Sequence, residues 1–290
     1  MSKIGILTDC SSGLDYAPFP HNVKLTRMGI HFGEETFFDG LNITADQFYE
    51  RLQNSDVMPT TSAVTPGDIA KCLKEFEEEG YTDVLYFPLP FVLSKATENL
   101  LLIKDELNSN VKLHIYNARS TTLLLGYLAN EAQKMADKGY SIEQILDRTE
   151  RLRNNTVAYF VVDDLNHLVR SGRLRGVTGF IGNLMKIKPI LTLSEEGAVV
   201  PHSKVRTHRR AVEEMVKIVN NEFAGAKKVA YFILHSGRPK EAQAIKEAYV
   251  DNAPNKHSFY LSTIPPILGV HVGCGLIGYG GYILDGIEEI

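Results

Sequence analysis

The chain is 290 residues long, 44% hydrophobic and 23% charged, with 31 Lys and Arg against 35 Asp and Glu for a formal net charge of -4. That length and apolar content suit one large globular domain or two ordinary ones, and the acidic balance argues against non-specific nucleic-acid binding. The N-terminus, MSKIGILTD, lacks a signal-peptide apolar region, no apolar run reaches a membrane span, and Cys10, Cys72 and Cys274 match no CxxC or zinc spacing, so a cytoplasmic protein without disulfide, metal or cofactor is expected.

In chain order, residues 3–8 form a short apolar run that ends in Thr8, Asp9, Cys10, Ser11 and Ser12. This is the pattern of a buried parallel strand delivering a polar loop from its C-terminal end. Residues 23–38 read as strand material turning at Gly33-Glu34-Glu35, and Thr44 with Gln47 makes a capping box for a helix to about residue 53. Three consecutive hydroxyls, Thr60, Thr61 and Ser62, follow in the segment MPTTSAVTPGD. Thr65 suits an N-cap, Pro66 the first helical position and Asp68 the third, which places the hydroxyls in a loop before a helix that ends at Gly80. Free N–H groups and the helix dipole at such a point favour an anion, carboxylate or phosphate.

Residues 84–89 are another apolar run, interrupted by Pro88 and Pro90, after which Ser94 is placed to cap a helix reaching about residue 108. Residues 111–116 give a further strand, a polar stretch at 117–122, a helix to Asp137 and one more helix, boxed by Ser141 and Gln144, to about residue 153. Strand, polar loop and helix in repetition imply a parallel sheet covered on both faces, with ligands at the carboxyl ends of the strands. A change of character at Asn154-Asn155 sets the expected division into an N-terminal Rossmann-like α/β domain at 1–154 and a C-terminal α/β domain with a mixed or antiparallel sheet at 155–290. In the second half the pattern predicts strands at 156–162 and 187–193, a hairpin at 195–197, a helix at 208–223, a strand at 228–234, a helix at 239–249, a strand at 258–261 and a glycine-rich strand at 276–284.

Gly273-Cys274-Gly275-Leu276-Ile277-Gly278 has the GxGxxG spacing of a dinucleotide-binding turn, but only 12 residues follow Gly278 and Gly280-Gly281 would undermine a helix there. His271, on the apolar segment VHVG, is either a satisfied core histidine or a ligand contact, and His235 in LHSGR faces the same choice. Arg170, Arg173 and Arg175, with Lys204, Arg206, His208, Arg209 and Arg210, form two basic clusters suited either to solvent or to an acidic or phosphorylated partner.

Taken together, Thr8-Asp9, PTTSAVTP at 59–66, Leu93-Ser94, GRL at 172–174, IKPIL at 187–191 and HVGCG at 271–275 make the chain resemble the DegV family over nearly its whole length. The resemblance implies a bacterial two-domain α/β protein that binds a long-chain fatty acid between its domains. It implies that Thr61, Ser62, Ser94 and His271 hold the carboxylate while apolar side chains from both domains enclose the tail. In some members of that family the acid is presented to a separate fatty acid kinase for acyl-phosphate formation and phospholipid synthesis, and Arg170, Arg173 and Arg206 of the basic clusters are the candidate docking residues for such a partner. The sequence departs from the family pattern at Cys10, where serine is usual, at Lys95, where glycine is usual, and at Asn117, where aspartate is common.

Hydroxyls and one imidazole would hold a carboxylate less firmly than an arginine fork and leave it extractable by a partner. At roughly 0.8 kcal/mol per buried methylene, about fifteen methylenes supply on the order of 12 kcal/mol before association costs. The competing reading is an α/β enzyme acting on a small anionic substrate in the same crevice. No nucleophile and base stand at a readable spacing, and no basic stripe or helix-turn-helix signature points to a nucleic-acid module.

Overall fold

The computed structural model describes residues 3–107, 109–175 and 187–290. Strand β1 (Ile4–Asp9) is buried at every position, as an unbroken apolar run covered on both faces should be. Beyond it come β2 (Lys24–Thr26), β3 (Gly29–Phe32) and β4 (Glu35–Phe38), then helix α1 (Ala45–Asn54) with the expected Thr44/Gln47 capping box. The hydroxyl segment expected as a loop is instead a short strand, β5 (Thr60–Ser62), antiparallel to β3 in a three-stranded sheet of order β4-β3-β5. The β-branched threonines favour this extended pairing.

Helix α2 (Pro66–Glu78) starts on the predicted Thr65/Asp68 box, and β6 (Asp83–Phe87) stops just before Pro88. Helix α3 (Lys95–Ile103) is shorter than its pattern suggested and passes into a 3-10 turn at Lys104–Glu106; the expected end at residue 108 lies outside the described residues. Strand β7 (Lys112–Ile115) and helices α4 (Thr122–Asp137) and α5 (Ile142–Asn154) complete this half. Its main sheet has order β2-β1-β6-β7 and is parallel throughout.

The second half supplies β8 (Thr156–Val161), α6 (Asn166–Arg170), β9 (Lys188–Leu193), β10 (Val199–Val205), α7 (His208–Phe223), β11 (Val229–His235), α8 (Pro239–Ile245), β12 (Lys256–Thr263), α9 (Pro266–Val272) and β13 (Ile277–Ile283). These strands form a six-stranded mixed sheet of order β10-β9-β8-β13-β11-β12, in which β11 and β12 alone run parallel. One face packs against α7 through Met215, Val219, Ile233 and Ile277. The other joins the core of the parallel half, where Tyr127 of α4 stacks on Tyr282 at 5.2 Å and the Tyr282 hydroxyl donates to the Leu124 carbonyl at 2.8 Å.

Two features near the C-terminus decide the site. The GxGxxG match is a helix-turn-strand: Gly273 (φ 72°) ends α9, Gly275 (φ 89°) turns the chain, and Gly278 lies inside β13. That is the reverse of a strand-turn-helix dinucleotide unit. Helix α9 itself was not legible, because seven residues started by Pro266 and containing Gly269 carry too little periodicity. It packs across onto α1: a Cβ at Gly269 would come within 2.6 Å of Phe48 Cε1 and 2.8 Å of the Tyr49 hydroxyl. The Tyr49 hydroxyl donates to the Ile264 carbonyl at 2.8 Å, and the Ile267 amide donates to Asp39 Oδ2 at 3.2 Å. Gly269→Val should therefore overpack this contact and cost about 1–3 kcal/mol of stability, read as a lower urea midpoint; an unchanged midpoint would show the α1–α9 contact to be loose.

Candidate functional site

A cavity of about 190 Å³ lies where β5 and α9 meet the inner face of the mixed sheet. Its wall is mostly apolar, with Phe160, Leu193, Phe232, Leu234, Ile264 and Leu276 among the contributors. Thr61, Ser62, Ser94 and His271, although up to 210 residues apart in sequence, all line it, as do Thr121, Thr122 and Arg173. The Thr61 hydroxyl and His271 Nε2 are hydrogen-bonded at 3.1 Å, while buried His271 Nδ1 has no partner among the described residues.

The strand conformation of β5 divides its hydroxyls. Successive side chains alternate between faces, so with Thr61 turned to His271, Ser62 turns the other way: its Oγ bonds His31 Nε2 at 2.9 Å and sits where a Cβ on Gly29 would be only 2.5 Å away. Three adjacent hydroxyls thus do not converge on one point. As an edge strand, β5 also leaves backbone donors unpaired by the sheet on the side away from β3. The anion-favouring helix start expected beside these hydroxyls is used differently, since Asp68 of α2 accepts the Thr65 amide at 2.8 Å and closes that end itself.

Ser94 stands at the N-cap of α3, yet its side chain makes no capping hydrogen bond. Its hydroxyl is thereby left for the cavity it lines. The turn before it is set from below by Asp9, a fully buried carboxylate that accepts from the Leu89 amide at 2.7 Å and from the Ser11 amide at 2.9 Å. Burial pushes the Asp9 pKa up, and these hydrogen bonds oppose the shift. The 8–12 segment, the polar loop read at the carboxyl end of the first strand, is accordingly scaffold, since Thr8, Asp9, Cys10, Ser11 and Ser12 are all buried and absent from the cavity wall.

The departures from the family pattern are absorbed locally. Cys10 Sγ accepts the amide of Met28, a cavity residue, at 3.4 Å, and exposed Lys95 faces solvent. Asn117 Oδ1 accepts the Arg119 amide at 3.2 Å, bracing a turn in which Arg119 (φ 52°) and Thr122 (φ 61°) adopt left-handed backbone. For a β-branched residue such as Thr122 that conformation is strained, and strain held at a ligand cavity is a recurrent feature of functional sites.

Arg173, grouped from sequence with a docking surface, lines the cavity, whereas Arg170 and Arg206 are exposed. The sequence signal for Arg173 was its place in GRL; nothing in the pattern separated it from its basic neighbours. His235, the other histidine in question, is buried at the end of β11 and does not line the cavity. Burial, with the charges of Arg173 and His167, pushes the His271 pKa down to about 4. The imidazole is neutral at neutral pH.

The whole chain bears comparison with known proteins at this point. Residues 3–283 match the model of the DegV family, described as an uncharacterised protein family. The chain belongs to the DegV family. It is similar to the crystal structure of a fatty-acid-binding DegV family protein from Streptococcus agalactiae, at 27% identity and TM-score 0.86 over 97% of this chain and 99% of that one. It is equally similar to DegV, a fatty acid binding protein from Bacillus subtilis, at 27% identity and TM-score 0.86 over 98% of this chain and 100% of that one. The Streptococcus pneumoniae fatty acid kinase B3 protein, whose structure holds linoleic acid, shares the fold at 19% identity and TM-score 0.80, over 98% of this chain and 100% of that one. Among the described residues of this DegV-family chain, no helix is long and apolar enough to cross a membrane, and no group of His, Cys, Asp and Glu is arranged to hold a metal.

The depressed pKa of His271 has a definite stability sign. Because its folded value of about 4 lies below the unfolded value near 6.5, its contribution is present above pH 6.5 and is lost as pH falls towards 4. NMR titration of the ligand-free protein should find the His271 ring neutral to below pH 5, and His271→Gln should lose less stability than wild type over that interval; an ordinary histidine pKa would show the ring to be solvated instead.

Proposed function

We propose that this DegV-family protein is a carrier that binds one long-chain fatty acid between domains formed by residues 1–154 and 155–290. The Thr61 and Ser94 hydroxyls and His271 hold the carboxylate, Ser62 and its backbone flank it, and the apolar wall takes the tail. The observation that carries this reading is the convergence of these widely separated residues in the wall of one mostly apolar cavity. A carboxylate oxygen would also give a partner to the Ser94 hydroxyl, which makes no capping hydrogen bond. The fatty-acid-binding proteins of S. agalactiae and B. subtilis, alike over nearly the full chain, support it further.

Arg173 adds a feature absent from the sequence argument. A cation near the carboxylate strengthens binding, but the donors in contact remain hydroxyls and a neutral imidazole, so the head group stays exchangeable. Exchange suits a carrier that presents the acid to a separate fatty acid kinase for acyl-phosphate formation and phospholipid synthesis, with exposed Arg170 and Arg206 as docking residues. Catalysis by the chain itself is less well supported. Burial raises the thiol pKa of Cys10 and of Cys274, which disfavours the thiolate needed for nucleophilic attack.

Denaturing the purified protein and analysing the organic extract by mass spectrometry should release a long-chain fatty acid in near-equimolar amount. Failure to find one, together with no binding of added fatty acid, would leave the small-substrate enzyme as the better account. Thr61→Ala and Ser94→Ala should each weaken binding by roughly 1–2 kcal/mol, the scale of one hydrogen bond to a charged acceptor. A bound carboxylate raises the His271 pKa, so above the pKa of the free fatty acid's own carboxyl the complex holds more protons than its parts and affinity should weaken as pH rises towards the bound-state value of His271. The window lies below the one an ordinary histidine would give, and His271→Gln should remove this component. Arg206→Glu should leave fatty-acid affinity intact while lowering acyl-phosphate formation by an added kinase subunit; unchanged turnover would remove Arg206 from the docking surface.

A further inference from the structure

Strand β13 contains three glycines, and they are glycine for different reasons. A Cβ at Gly280 would lie 2.1 Å from the Val157 carbonyl oxygen, and one at Gly281 would lie 2.0 Å from the Ala230 carbonyl oxygen. Neighbouring backbone therefore forbids a side chain at both. Gly278 is under no such constraint: its Cβ would find Phe160 Cβ at 3.5 Å, the Tyr159 oxygen at 3.7 Å and the Leu234 oxygen at 3.8 Å, all ordinary contacts, and its φ is outside the left-handed region.

Glycine inside a strand costs stability relative to alanine, and where neighbouring backbone does not require it a recurrent reason is close approach of a ligand. Gly278 pairs with Leu234 on β11 and with Phe160 on β8. Directly opposed residues of antiparallel strands present side chains to the same face. A side chain at 278 would stand between those of Leu234 and Phe160, and all three positions line the cavity. The missing side chain is a recess in the cavity wall.

We propose that Gly278 is a specificity-determining residue whose recess admits an acyl chain locally wider than a straight run of methylenes, through either a cis double bond or a methyl branch. A straight saturated chain passing the recess leaves it unfilled and forfeits the contacts of its lining, whereas a bent or branched chain fills it. This inference rests on the fatty-acid reading above and adds the class of chain to it.

The test compares oleate, isostearate and stearate binding to wild type, Gly278→Ala and Gly278→Val. Wild type should favour at least one of the two wider acids over stearate. Gly278→Val should weaken binding of the favoured acid by about tenfold or more, the scale on which an apolar pocket senses a methylene or two, while changing stearate affinity by no more than about threefold. The melting temperature of Gly278→Ala should equal or exceed that of wild type, since a Cβ is tolerated and a strand glycine is removed. Uniform loss across the three acids, or no change in a folded Gly278→Val protein, would overturn the proposal, as would a Gly278→Ala protein that fails to fold. Wild-type binding of none of the acids would overturn the fatty-acid reading itself, and this inference with it.

Discussion

The seating of α9 on α1 is the contact on which the rest of the site depends. Thr61 sits on a three-residue strand of the first half and His271 on a seven-residue helix of the second, and neither element is long enough to be stable alone. Their meeting at 3.1 Å is enforced from outside. Asp39 accepts the Ile267 amide in the first turn of α9, Tyr49 anchors the segment before it, and Gly269 removes the side chain that would otherwise hold the two helices apart. Asp39, Tyr49 and Gly269 lie outside the cavity wall, yet together they fix the ring that lines it.

The polar groups in and beside the cavity are electrostatically restrained. Burial keeps His271 neutral and pushes buried Asp39, a hydrogen-bond acceptor from Tyr16 at 2.6 Å, up to a pKa of about 7. Desolvation opposes charge at both groups, as it does wherever an ionisable side chain is taken out of water. The guanidinium of Arg173, in the cavity wall, depresses the His271 pKa at the same time as it creates a favourable potential for an anion. An arriving carboxylate would reverse the first effect while using the second. The imidazole and the guanidinium therefore act on a ligand in the same direction but on each other in opposition.

Much of the architecture was readable because local signals agreed. The Thr44/Gln47, Thr65/Asp68 and Ser141/Gln144 boxes set three helix starts, and the helix at His208–Phe223 has the bounds the sequence pattern predicts. What escaped was decided by non-local contact. Residues 60–62 became a strand because the edge of β3 was available, and α9 formed because Phe48 and Tyr49 gave it a surface. The resemblance named Thr61, Ser62, Ser94 and His271, and all four line one cavity, but no pattern in the sequence could orient Ser62 towards His31 or separate Arg173 from Arg170. Side-chain direction follows from the strand's alternation and the helix's seat, which are facts of the folded chain.

Because the wall is assembled from both halves, a ligand that fills it acts as a joint between them. Thr61 and Ser94 arrive from the first half and His271, Phe232 and Leu234 from the second, so contacts along a ligand in the cavity would add to those that α9 and α4 already make. Any ligand binding the folded state alone stabilises it in proportion to the logarithm of its saturation. Here that stabilisation is applied at the contact least supported by its own elements, β5 against α9. The short strand and the short helix are costly as isolated structures, but they are well placed for a site in which occupancy and cohesion reinforce each other.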